Sequence, residues 1–192
     1  IADMFRGEQP DIAAALDTLR TDGVQTLLGD TLRGVGIDRP AIVNRISHVF
    51  RARYFEESYL ELDGPCPGAS EYVWRLWEAG AIIVYIGGRD VPGMLVGTVA
   101  SLREHGFPFA QIGVQLVLKR DATLGDDSFL RGAIPTLGRA GEIVAVFDAA
   151  PMICELAKHT FPNAMVGLVD HWPPDPYDAI PGVDRIHDFR LG

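Results

Sequence analysis

The stretch Ala81-Ile82-Ile83-Val84-Tyr85-Ile86-Gly87-Gly88-Arg89-Asp90 decides the fold. Its β-branched and aromatic run is too short for a helix and ends in two glycines and a charged pair, the pattern of a strand buried on both faces of a parallel sheet. Upstream, Pro67 to Gly80 places Ala69, Tyr72, Val73 and Leu76 at helical spacing, with Gly80 as the stop. Downstream, Val91 to His105 reads as a second helix closed by Gly106. Helix, buried strand, polar tip and helix make half of a doubly wound α/β unit. Such units bind ligands at the carboxyl ends of their strands, so Gly87 to Asp90 stand where chemistry is expected.

The alternation continues toward the C-terminus. Strands are expected over Ile112 to Leu118, Ile143 to Phe147 and Met165 to Val169, and helices over Asp126 to Ile134 and Pro151 to His159. The tail from His171 to Asp188, rich in proline and aspartate, reads as mostly loop. Before residue 60 the signals are helical only. Ile12, Leu16 and Leu19 share one face of Asp11 to Arg20, Thr26 to Leu32 is a short second helix, and a third follows Asp38-Arg39-Pro40 with Ile42, Val43, Ile46, Val49 and Phe50 in phase. Expected are an α-helical cap or insertion over 1–58 and an α/β core over 59–192, with a Rossmann-like parallel sheet flanked by helices.

A formal net charge of −9 argues against a nucleic-acid partner, which would need a basic face. No apolar run reaches the roughly 18 residues of a membrane span, so no membrane partner is expected either. Cys66 and Cys154 lie far apart and outside any metal-ligand spacing, which suits reduced thiols and a cytoplasmic protein. G-x-S-x-G, the P-loop, H-E-x-x-H and G-x-G-x-x-G patterns do not occur around these strands, which disfavours serine hydrolases, P-loop ATPases, zinc proteases and dinucleotide-binding redox domains.

Successive strands end in Gly87-Gly88-Arg89-Asp90, in Lys119 and in Asp148. On a common sheet edge these groups converge: a lysine neutralises phosphate charge, a carboxylate holds a hard cation, and a glycine-rich turn aims N–H groups at anionic oxygens. Each also has a plainer role. Asp90 and Asp148 suit helix N-caps, Arg89 suits an ion pair with Asp90, and His105 and His159 suit helix C-termini. Trp74 and Trp77 suit packing rather than a binding platform. His171, with Asp170, Asp175 and Asp178 nearby, sits in a proline-rich stretch that suits a surface loop.

Over residues 60 to 170 the ordered set resembles the haloacid dehalogenase superfamily, mostly magnesium-dependent phosphatases. Gly64-Pro65-Cys66-Pro67-Gly68-Ala69 with Val84 to Asp90 is similar to its second motif, a strand ending in Thr/Ser-Gly-Arg. Leu116-Val117-Leu118-Lys119 is similar to the third-motif lysine, and Val144 to Pro151 to a fourth motif of the Phe-Asp-Asn-Glu-Pro type. The resemblance implies phosphate monoester hydrolysis through an aspartyl-phosphate, with Lys119 catalytic, Gly87, Gly88 and Arg89 on the phosphate, Asp148 on a Mg²⁺ expected only together with the family's first motif, and a small phosphorylated substrate chosen by the cap.

The family's first motif, Asp-x-Asp at the end of the first strand, supplies the nucleophile and does not occur in this sequence. It is expected upstream of Ile1, and the 192 residues alone are expected to be inactive. Gly87 replaces a hydroxyl of the family pattern, and Ala149 and Ala150 replace polar residues near the metal. These departures leave open an alternative: a non-catalytic relative that binds a phosphorylated metabolite or a protein partner.

Overall fold

The computed structural model describes residues 1–20, 24, 28–54, 64–170 and 179–190, with backbone alone described for 51–54. They fall in two compact units, one within 1–54 and one from 64 onward. The first is helical: a 3-10 turn at Ala2–Met4, then α1 (Pro10–Asp17), α2 (Leu28–Gly34) and α3 (Pro40–Tyr54). Phe5, Ile12, Leu32, Ile37, Ile42 and Ile46 form its core, and the Arg45 guanidinium lies 5.0 Å over the Phe5 ring. Of the apolar residues expected in phase, Ile12, Ile42 and Ile46 are buried, Leu16, Leu19, Val43 and Val49 are half-buried, and Phe50 is exposed.

The second unit is α/β: small parallel sheets flanked by helices. Its elements are α4 (Ala69–Glu78), β1 (Ile83–Asp90), α5 (Val91–Glu104), β2 (Val114–Lys119), α6 (Asp126–Leu137), β3 (Ala145–Asp148), α7 (Pro151–Thr160), β4 (Met165–Val169) and β5 (Asp184–Ile186). Glycine ends α4 and α5 as the sequence reading expects. Gly80 (φ 94°) and Gly106 (φ 72°) take the left-handed conformation, and Ala81 and Phe107 donate back to Leu76 and Leu102 in the six-to-one bond of a Schellman cap.

Strands run parallel throughout, in two sheets of order β1-β2 and β3-β4-β5. This corrects the expectation of one continuous sheet: among the described residues no strand joins β1 to β3. Helices tie the two instead. Tyr72 of α4 packs edge-on to Phe147 of β3 with ring centroids 5.7 Å apart, while α4 also touches β1. In addition α6 touches β1 and α7, and α7 packs on β3 and β4.

The two open edges explain a second correction. β1 was expected to be buried on both faces, yet Ile83 to Arg89 are all half-buried, as are the four residues of β3. Strand starts fray similarly: Ile82 and Val144 are 58% and 65% exposed, and Ile112, expected inside β2, is 97% exposed and lies outside it. A strand with a ladder on one side only leaves its flank to water. The fully buried cluster of this unit accordingly lies on the α7/β4 side, at Cys154, Ala157 and Val166.

Two further boundaries differ. α6 runs on to Leu137 through Pro135, which sits in its last turn. The tail holds β5, paired to β4 through Gly167↔Asp184, Leu168↔Arg185 and Val169↔Ile186. His171, Asp175 and Asp178 lie outside the described residues.

Candidate functional site

The polar tip of β1 is a bulged strand end rather than a free turn. Gly87 pairs with Leu118 and Asp90 with Lys119, so three steps on β1 match one on β2 and the ladder shifts between them. Gly88 and Arg89 are the residues left over, and a bulge re-aims what it carries. Arg89 reaches Thr98 Oγ1 on α5 at 3.4 Å. Asp90 takes the plainer of its two roles: it is the N-cap of α5, accepting from the Gly93 amide at 3.0 Å.

Lys119 ends β2 with its side chain only 1% exposed. A buried amine needs a partner, because desolvating a cation costs several kcal/mol without one. Asp126 supplies it: Lys119 Nζ donates to Oδ1 at 2.6 Å from the first turn of α6. The same carboxylate presses on the β1 bulge, where a Cβ added to Gly88 would lie 2.5 Å from Asp126 Cγ and Oδ2. A side chain at position 88 would therefore displace the Asp126 carboxylate from the bulge. Lys119, Gly88 and Asp126 form one polar corner at the carboxyl ends of two parallel strands.

Asp148 stands in the other sheet, at the end of β3. Its Oδ1 accepts from the Ala150 amide at 2.7 Å, a side-chain turn leading into α7. The N-cap position itself falls on Ala150, not on Asp148. Asp148 by itself brings one carboxylate, and among the described residues no group of three or more His, Cys, Asp and Glu is placed to hold a metal; the Mg²⁺ expectation is tied to the first motif, which would bring the further ligands. No chemical step is derived through the ion. Trp74 and Trp77 anchor α4, their indole N–H groups donating to the Gly106 and Ile112 carbonyls at 2.7 and 2.9 Å.

Two features escape sequence reasoning. Asp126 looks there like an ordinary acidic helix start. Asp170, at the end of β4, accepts from Arg185 Nε at 2.7 Å and pairs with His187, and the hydrogen bond from Arg185 more than that from His187 holds its carboxyl below the usual range. Their signal, a basic residue on each side of Ile186, has meaning only once β5 lies beside β4.

Cys154 closes the β3/β4 end from beneath, its Sγ donating to the Asp148 and Gly167 carbonyls at 3.5 and 3.7 Å. Burial, and secondarily the Asp148 charge, push its thiol up to about 11. The unfolded thiol loses its proton near pH 9, so the folded state holds the extra proton between about 9 and 11. Stability is expected to be intact below that window and to fall through it by roughly 2 kcal/mol. Urea midpoints followed from pH 8 to 11 check this: Cys154→Ala should flatten the slope, and an unchanged slope would refute it.

No helix among the described residues is long and apolar enough to cross a membrane. Comparison with protein-family models, curated proteins and solved structures finds no match.

Proposed function

We propose that residues 59–192 are the core of a haloacid dehalogenase-like phosphohydrolase, that 1–58 are its α-helical cap, and that the strand bearing the nucleophile is supplied from upstream of Ile1. One observation carries the reading: a lysine buried to 1% exposure sits at the carboxyl end of a parallel strand, against a glycine bulge, with its amine on an anionic group. Buried amines are rare, and this one is placed where α/β sheets bind ligands. The edges of β1 and β3 that have no partner strand among the described residues support the missing-strand part, since α4 touches both strands and α6 and α7 link the two sheets.

In this reading the upstream aspartate attacks phosphorus, the P–O bond to the alcohol breaks, and the alcohol leaves with a proton from the second carboxylate of that motif. Water then cleaves the aspartyl-phosphate, releasing inorganic phosphate. Lys119 offsets the charge of nucleophile and phosphoryl group, and the backbone of Gly87, Gly88 and Arg89 contacts phosphate oxygens. The substrate is a small phosphate monoester.

A second reading, a non-catalytic binder of phosphorylated ligands, draws on Gly87, Ala149 and Ala150, which lack the polar atoms of the family pattern. Extending the coding sequence upstream separates the two. The 192-residue chain is expected to show no hydrolysis of p-nitrophenyl phosphate, and a chain carrying an upstream Asp-x-Asp strand is expected to turn it over and to lose that activity when the first aspartate becomes asparagine. Hydrolysis by the 192 residues alone would contradict the proposal, and an upstream region without such a strand would favour the binder.

A further inference from the structure

The Asp126 carboxylate occupies the position that the reading above gives to a phosphoryl oxygen. It is 2.6 Å from the Lys119 amine and packed on the backbone of Gly88, so an oxyanion approaching both groups meets it first. We infer that Asp126 is an internal anion that competes with phosphate for the Lys119–Gly88 corner and leaves that corner when phosphate enters; the inference rests on the phosphate reading of the corner.

The asymmetry of the pair is the reason. Lys119 is 1% exposed and Asp126 52%. A carboxylate whose only task is to neutralise a buried amine is expected to be enclosed with it, since partial hydration weakens the attraction. Asp126 keeps half of its surface in water, so rotation about its side-chain torsions moves the charge into solvent without opening a cavity. α6 also packs on α7, a contact that a rotation of the Asp126 side chain leaves in place. Gly88 makes the arrangement possible from the other side, since any larger residue would push the carboxylate off the bulge.

Internal competition has a quantitative signature. If the corner is open in a tenth of molecules or fewer, the apparent affinity for an external anion is lowered at least about tenfold, and removing the internal charge restores it. A merely structural partner predicts the opposite, because losing it leaves a buried ammonium that a weakly held phosphate does not rescue.

The experiment uses the 192-residue chain and inorganic phosphate, with titration calorimetry and thermal midpoints for the wild type, Asp126→Asn, Lys119→Met and the double variant. Asp126→Asn is expected to bind phosphate about tenfold more tightly than the wild type. Its midpoint, lowered by the substitution, should rise with phosphate by more than that of the wild type, and both effects should vanish in the double variant. Affinity equal to or below that of the wild type overturns the inference, while Lys119-dependent binding by the wild type leaves the phosphate reading standing. Binding by no variant removes both. A gain in Asp126→Asn beside an upstream-extended chain that hydrolyses no ester removes the catalytic reading and keeps the competition. Should Asp126→Asn fail to fold, the wild type decides: saturating phosphate should move the carboxyl ¹³C resonance of Asp126, and an unmoved resonance at saturation overturns the inference.

Discussion

Lys119→Met is expected to lower the affinity for inorganic phosphate by roughly tenfold to a hundredfold while leaving the thermal midpoint unchanged or higher. The first part follows from losing a charge-assisted hydrogen bond, worth about 1.5–3 kcal/mol. The second follows from which partner is buried. Removing one member of an ion pair is costly, about 3–5 kcal/mol, when the remaining charge is stranded away from water. Here the amine is the buried member and the carboxylate is half in solvent, so methionine fills the volume, abolishes the desolvated charge and leaves Asp126 to water. Asp126→Asn does the reverse and is expected to be the destabilising half of the pair. Titration calorimetry and a thermal melt on both variants suffice. A Lys119→Met protein that unfolds several degrees lower would mean that the amine holds the fold together, and the case for a ligand at that corner would fail. Residues kept at a cost in stability belong to function more often than to architecture.

What could be read without coordinates followed short-range physics. β1, α4 and α5 were legible because their signals are local: a β-branched run, an apolar face, and Gly80 and Gly106 as stops. β5 was not, since Asp184-Arg185-Ile186 carries a single apolar residue and becomes a strand only because β4 offers it a ladder. Burial of β1 is less than its sequence implies for the same reason in reverse, and β3 is likewise half-buried. Their composition suits a central strand, while the described residues give each a neighbour on one side only. At the site, the sequence singles out Lys119 by its position after Leu118, and the bulge at Gly88 by its glycine pair. It is silent on Asp126, because the link between them depends on how the segment after Lys119 turns α6 back over β1. Asp148 marks a strand end as expected, yet it lies in the second sheet, where its carboxylate also accepts from the Ala150 amide at the entry to α7.

A parallel strand supplied between β1 and β3 is expected to raise the thermal midpoint by on the order of 10 °C and to protect four particular amides from hydrogen exchange. The choice of amides comes from register. Ile83 donates to Gly113 and pairs with Val114, so Ile83, Tyr85 and Gly87 turn their backbone groups toward β2, and alternation turns Val84 and Ile86 to the other edge. Likewise Met165 donates to Val144 and pairs with Ala145, which directs Val144 and Val146 toward β4 and leaves Ala145 and Phe147 on the opposite side. A strand inserted there satisfies both rows, each bond contributing about 1 kcal/mol net, and covers apolar side chains that are now half-buried. Ordering the inserted residues offsets part of this gain, and each kcal/mol of net gain shifts the midpoint of a chain this size by about 2–4 °C. In the 192-residue chain the amides of Val84, Ile86, Ala145 and Phe147 should therefore exchange at least about a hundredfold faster than those of Tyr85 and Val146. With the upstream strand present, the difference should close. Slow exchange at all of these positions in the 192-residue chain would mean that the edges are already covered. The sheet would then need no further strand, and the nucleophile assigned to it would have no place to stand.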